Sequence, residues 1–181
     1  MAGTPPTIAP PTTRTAYLGL GSNLGDRAAT LRAAVDALAA HLRILAVSSL
    51  YDTAPQLVTD QPRFLNAALA GTTELEPLAL LHAVKAIETA LGRVPGPRFG
   101  PRALDIDLLL LDGIVLDTPE LTLPHPRLAE RAFALLPLAE IAARIAPALI
   151  LPPSGILIAD LARAATAGSA ADELRLIGPL V

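Results

Sequence analysis

Two strand-forming runs, residues 44–51 and 64–72, follow one another with no helix between them, and this order restricts the fold more than any other feature. A doubly wound sheet needs a helical crossover between successive parallel strands, so two strands joined by a loop are expected to pair antiparallel. Upstream, TAYLGL reads as a buried strand, and Asp26 in the loop GSNLGD caps a helix rich in Ala and Leu that runs to about Leu42. Downstream, Pro77 suits the first turn of a helix through LALLHAVKAIETAL, which Gly92 stops. Residues 104–111 form a further strand, and Asp112-Gly113 is a hairpin signal that returns residues 114–116 alongside it. The order β, α, β, β, α, β with a hairpin predicts an α+β sandwich, helices on one face of a mainly antiparallel sheet. Beyond TLPHPRLAERAF the chain reads as short helical pieces, followed by a Pro- and Ala-rich stretch that no pattern assigns.

With 181 residues, 52% of them hydrophobic, the chain can fill one core, so residues 14–181 are expected to form a single domain. Residues 1–13 are Pro, Thr and Ala without apolar periodicity, the pattern of a disordered tail. The opening MAGTPPTIAPPTTR has neither a basic n-region nor a continuous apolar segment, and charged or Pro residues interrupt every apolar run before membrane-spanning length. A soluble, unexported protein is expected. The chain has no Cys, which excludes disulfides, zinc thiolates and thiol nucleophiles and fits a reducing compartment, the cytoplasm. A net charge of −3 has the wrong sign for coating nucleic acid or anionic lipid, so neither is an expected partner. Yet Arg93, Arg98, Arg102, Arg127 and Arg131 crowd one segment together with His125. That distribution points to a local anion site.

The densest chemistry lies in Leu104-Asp105-Ile106-Asp107-Leu108. On a strand the two carboxylates share one face while Leu104, Ile106 and Leu108 share the other. Adjacent like charges repel unless a cation lies between them, and hard oxygen ligands select magnesium or calcium. Taken alone, such a pair is as often a solvated strand face. Its setting argues otherwise, because GRVPGPRFGPR, with three Gly and three Pro in eleven residues, delivers Arg93, Arg98 and Arg102 immediately upstream. Guanidinium groups bind phosphate oxygens in bidentate fashion, so acid pair and basic loop together suggest magnesium-nucleotide chemistry. His125, held between Pro124 and Pro126, and the nearby Arg131 extend the anion site. Gly19, Gly21 and Gly25 lie between strand and helix as in dinucleotide-binding loops, but their GxGxxxG spacing and the topology after them exclude that fold. These glycines instead allow close approach of backbone to a ligand or loop.

The ordered set YLGLGSNLGDR, SSLYDTAP, DQPRFLNAA, GRV followed by FGPRALDIDLLL, and LPHPRLAERAFALLPL resembles the 6-hydroxymethyl-7,8-dihydropterin pyrophosphokinase family from about Tyr17 to Ile145. The resemblance implies a ferredoxin-like α+β fold and transfer of pyrophosphate from ATP to the pterin hydroxymethyl group, with AMP released in a step of folate synthesis. It further implies two magnesium ions on Asp105 and Asp107, and ATP bound by Arg93, Arg98, Arg102, His125 and Arg131. Arg93 and Arg102, with the two acids, form the implied catalytic set. The implied pterin pocket comprises Phe64 and Phe133 as stacking rings, Asn66 as the reader of the ring edge, and Thr53 and Gly21 as lining. Stacking supplies area for a flat heterocycle and a fixed amide reads its edge. In-line attack through a loose transition state needs positioning and charge neutralisation more than a general base. A monomer is expected. Three positions depart from the family pattern: Pro126 where relatives can have Tyr, Phe99 where many have Trp, and a less basic 94–97 stretch. Two other readings of the acid pair are a nucleotide-binding module without turnover, and a glycosyltransferase, which would need an α/β nucleotide-binding half that this chain lacks.

Overall fold

The apolar run that opens the fold becomes β1 (Arg14–Ser22), and the alternation of its side chains decides the rest of the architecture. The computed structural model describes residues 12–55, 58–97, 100–167 and 174–181, so the expected tail lies almost wholly outside the described residues. After β1 come α1 (Arg27–Leu38), β2 (Arg43–Val47), β3 (Ser49–Thr53), β4 (Phe64–Thr73), α2 (Pro77–Ala90) and β5 (Asp105–Leu111). The short strands β6 (Leu116–Asp117) and β7 (Thr122–Leu123) precede α3 (Ala132–Ile145). The chain then forms β8 (Ile150–Leu151), β9 (Ile156–Leu157), α4 (Ile158–Ala167) and β10 (Leu174–Pro179). The main sheet runs β10-β3-β4-β1-β5, with β2 also on β4, and every pairing in it is antiparallel. This is the predicted α+β class.

The helix boundaries follow from their capping chemistry. Asp26 accepts a hydrogen bond from the Ala29 N–H at 3.0 Å and starts α1, which buries Leu31, Ala34, Val35 and Leu38 at helical spacing. The helix stops at Leu38 rather than near Leu42, and Leu42 is buried from the turn that follows. Pro77 opens α2, and Gly92, at φ +91°, takes the left-handed conformation beyond its end. Both helices cover the sheet face formed by Leu18, Leu20, Leu69 and Ile106. Each fully buried leucine there contributes roughly 2 kcal/mol by removal from water.

The structure differs from the expectation in three further places. Residues 44–51 do not form one strand. Ser48 breaks the run, and its hydroxyl accepts the Ala68 N–H at 2.8 Å where a ladder carbonyl would have stood. The Asp112-Gly113 turn does not return residues 114–116 against β5, because β6 pairs with β7 in a separate two-stranded sheet. Gly113 adopts φ +72°, so the turn signal is real, but the chain leaves the sheet edge after it. Helices also cover both faces of the sheet. On the second face α3 and α4 enclose Tyr17, Ala68, Ala70 and Leu109, and the small side chains of β4 let α3 approach closely. The unassigned C-terminal stretch supplies α4 and the edge strand β10, whose register places Leu174 beside Thr53.

Candidate active site

The site lies on the second face, beyond the N-terminal end of α3, where the sheet is left uncovered. Its geometry begins with a β-bulge. The register between β1 and β5 shifts between Tyr17 and Leu18, so Leu109 and Leu110 both pack on the α3 side, while Asp107 falls opposite Gly19 and Asp105 opposite Gly21. Each carboxylate thus has a glycine as cross-strand neighbour, which keeps the space above it open. Leu104, Ile106 and Leu108 point into the first core, as their alternation with the acids requires.

A cavity of about 280 Å³ brings the sequence-predicted residues together: Gly21, Thr53, Phe64 and Asn66 from one side, Arg93, Arg102, Asp105 and Asp107 from the other, Arg131 and Phe133 from the start of α3. Arg93 Nη1 donates to Asp105 Oδ1 at 2.7 Å, and Arg102 Nη1 lies 3.1 Å from Asp105 Oδ2. Arg131 Nη1 donates to Asp107 Oδ2 at 3.1 Å while its guanidinium lies 5.6 Å from the centroid of the Phe133 ring. His125 stands beside the same carboxylate, its Nε2 4.0 Å from Asp107 Oδ2. Burial holds His125 below the ordinary histidine range, with the Asp107 charge opposing the shift and Arg131 adding to it. The neutral ring carries one proton. Donors approach both of its nitrogens, the Arg127 N–H at 3.2 Å from Nδ1 and Arg131 Nη1 at 3.3 Å from Nε2, and a neutral ring can accept from only one of them.

At the other end of the cavity, Asn66 Nδ2 donates to the Thr53 hydroxyl at 2.8 Å, which fixes the amide plane. Asn66 pairs with Gly21 across β1 and β4, and a Cβ at position 21 would approach Asn66 Oδ1 to 3.0 Å. Only a glycine leaves this amide edge exposed to the cavity. Two residue positions named from the sequence, Arg98 and Phe99, lie outside the described residues. Arg127 lines the cavity and also donates from Nε to Glu130 Oε2 at 3.2 Å. A second cavity of about 230 Å³ adjoins Asp107 and His125, walled by Leu81, Leu108, Leu121 and Pro126.

Two important residues had no reading in the sequence. Glu88 is only 1% exposed, accepts the Ile106 N–H at 2.7 Å, and pairs with Arg93 and with Lys85 at 3.0 Å. It ties α2 to the strand of the acid pair. The available signal was an acid on the buried stripe of α2, four residues beyond Val84 and eight beyond Leu80. Asn23, 2% exposed, joins three loops by hydrogen bonds to residues far away in the chain, and nothing local announces it.

The acid pair fits magnesium on the chemistry of its donors. Asp105 and Asp107 offer hard oxygens on one face of a rigid strand, and no third acid or His completes a protein-only cage among the described residues. Magnesium is commonly held by one or two carboxylates, the remainder of its shell coming from phosphate oxygens and water.

Residues 17–143 match the family model of the 7,8-dihydro-6-hydroxymethylpterin-pyrophosphokinases. The chain is 54% identical over 129 residues to the 2-amino-4-hydroxy-6-hydroxymethyldihydropteridine pyrophosphokinase of Methylorubrum extorquens, covering 70% of this chain and 82% of that one. It is 46% identical over 138 residues to the enzyme of the same name from Pseudomonas aeruginosa, covering 75% and 83%. The fold is similar to a crystal structure of Plasmodium falciparum HPPK-DHPS with pteroate, at a TM-score of 0.72 and 16% identity. That similarity covers 94% of this chain and 47% of the other, so the chain spans about half the length of that protein. The chain belongs to the 7,8-dihydro-6-hydroxymethylpterin-pyrophosphokinase family.

Proposed function

We propose a division of labour across this cavity and the one adjoining it for the reaction of the family: Asp105, Asp107, Arg93, Arg102, His125 and Arg131 serve ATP, and Gly21, Thr53, Phe64, Asn66 and Phe133 serve the pterin. The chain is an ATP-dependent pyrophosphokinase that transfers pyrophosphate from ATP to the hydroxymethyl group of 6-hydroxymethyl-7,8-dihydropterin in folate synthesis. The observation that carries the assignment is one cavity lined by a fixed amide, two aromatic rings and two carboxylates, Asp105 paired with Arg93 and Arg102, and Asp107 with Arg131.

The pterin hydroxyl attacks the β-phosphorus, the bond to the α,β-bridging oxygen breaks, and AMP leaves. Two magnesium ions on Asp105 and Asp107 would supply Lewis-acid neutralisation of the phosphate charge. Arg93, Arg102 and Arg131, each already aimed at a carboxylate of the pair, are placed to transfer a hydrogen bond to a phosphate oxygen as charge moves toward the bridge. His125 stands beside Asp107 and Arg131 at the same end, placed to meet the nucleotide. Asn66, oriented by Thr53, reads the ring edge while Phe64 and Phe133 cover its faces. The adjoining cavity with its Leu81, Leu108 and Leu121 walls suits an adenine ring next to the phosphates. Pro126 maintains that wall but offers no hydroxyl for a hydrogen bond.

The proposal extends to a monomer acting in the cytoplasm, with residues 14–181 as one catalytic domain. The absence of Cys suits a reducing compartment. No helix among the described residues is long and apolar enough to cross a membrane. The test is to incubate the protein with ATP, magnesium and 6-hydroxymethyl-7,8-dihydropterin and identify the nucleotide product. Pterin-dependent AMP is expected, and ADP in its place would refute pyrophosphoryl transfer.

A further inference from the structure

We infer that Asn23 is a positioning residue that holds the pterin wall and the phosphate-binding Arg102 at a set separation. The inference rests on the division of labour proposed above. Asn23 follows β1 and is 2% exposed. Its Nδ2 donates to Gln61 Oε1 at 3.0 Å and to the Pro62 carbonyl at 3.1 Å, and its Oδ1 accepts the Arg102 N–H at 2.7 Å. Its own backbone N–H donates to the Arg102 carbonyl at 3.2 Å. Gln61 lines the cavity and Pro62 stands two residues before Phe64, so one end of the amide sets the pterin wall. The other end holds the backbone of the residue whose guanidinium lies on Asp105.

Both loops are irregular segments outside the sheet ladder, and these bonds span 38, 39 and 79 residues of chain. A planar amide is suited to the task because it presents a donor and an acceptor at fixed relative geometry on a side chain with two rotatable bonds. Buried away from water, neither half can be released cheaply, so a shift of one loop is passed to the other. Asn23 touches neither substrate in this scheme. It acts through Gln61, Pro62 and Arg102.

The test separates the two halves of the amide. Asn23→Asp keeps an acceptor for the Arg102 N–H but sets a carboxylate oxygen against the Pro62 carbonyl, so the pterin KM should rise about tenfold while the single-turnover rate stays within about threefold. Asn23→Ala removes both halves, so the rate should also fall about tenfold or more. Gln61→Ala, a change on the loop side that leaves the core intact, should raise the pterin KM about threefold. It decides the question together with Asn23→Asp if the alanine variant does not fold. An unchanged pterin KM in Asn23→Asp and Gln61→Ala would overturn the inference. So would equal factors on KM and rate in both Asn23 variants, the mark of general loosening. Arg102→Ala is the control and should lower the rate about 100-fold. If it does not, the proposed role of Arg102 and this inference fail together, whereas a collapsed Arg102→Ala beside unaltered Asn23 variants sinks the inference alone.

Discussion

Replacing Glu88 separates the charge of a buried carboxylate from its hydrogen-bonding geometry, and the structure lets the two contributions be sized. The Glu88 side chain is 2% exposed, while its partners Lys85 and Arg93 are 47% and 30% exposed. In Glu88→Gln the amide oxygen can still accept the Ile106 N–H, now at 2.7 Å, and both cations can turn to water. The severe cost of stranding a fully buried charge therefore does not arise, and what is lost is the charge-assisted part of the bonds, about 1–2 kcal/mol. Glu88→Ala also strands the Ile106 N–H within β5 and opens a void, for a total of about 3–4 kcal/mol. Urea titrations should show both midpoints lowered at unchanged slope, the alanine variant by at least twice as much. Equal losses in the two variants would refute the argument, because the surviving acceptor would then contribute nothing. The same substitution leaves Arg93 with Asp105 as its remaining carboxylate partner. The magnesium concentration for half-maximal rate should rise several-fold in Glu88→Gln, and an unaltered requirement would show that Arg93 does not compete for that carboxylate.

Asp107→Ala should lose at least about 100-fold in turnover while melting within a few degrees of the parent, since Asp107 is 29% exposed and its removal leaves Arg131 in reach of water. Near-normal turnover would refute the metal-ligand role. In Gly21→Ala the added methyl meets Asn66 Oδ1 at 3.0 Å, and the amide cannot yield without breaking its bond to Thr53. Overpacking of about 1–3 kcal/mol should appear as roughly tenfold weaker pterin binding in a fluorescence titration, with ATP affinity unaffected. The chain's two tyrosines supply a pH test. Burial, aided by Asp112, pushes Tyr17 up to about 12, and burial with the hydrogen bond to Glu140 raises Tyr51 as well. An unfolded tyrosine ionises near about 10, so above that pH the unfolded chain gives up protons that the folded one keeps. This stabilising contribution is complete below about pH 10 and declines as pH rises toward about 12. Phenolate absorbance in the folded protein at pH 10 would contradict it.

Local rules made much of this molecule legible from its residues. Asp26 and Pro77 start their helices where capping chemistry demands, and the alternation of Leu104-Asp105-Ile106-Asp107-Leu108 was enough to place both acids on one face. Three of the basic residues that crowd one segment of the sequence, Arg93, Arg102 and Arg131, converge on those acids. Propensity and periodicity act over a few residues, and that range bounds what they determine. The break at Ser48 depends on the hydroxyl finding Ala68 across the sheet, and the Asp112-Gly113 turn forms without a returning partner strand.

Which face the acids occupy, and that α3 covers part of it while leaving an opening for the cavity, was decided by tertiary packing. A bulge opposite Tyr17 then set Gly19 and Gly21 against the two carboxylates. Glu88 and Asn23 lay beyond any local pattern for the same reason. Their identity says only that a polar group is present, whereas their roles come from partners 18 and 79 residues away, brought within hydrogen-bond distance by the way the helices and loops pack on the sheet. The sequence by itself determined the fold class, the starts of α1 and α2, and the chemical inventory of the site. The pairing of distant loops decided how that inventory is aimed, because a buried hydrogen bond is selected by the whole packed structure and not by its neighbours in the chain.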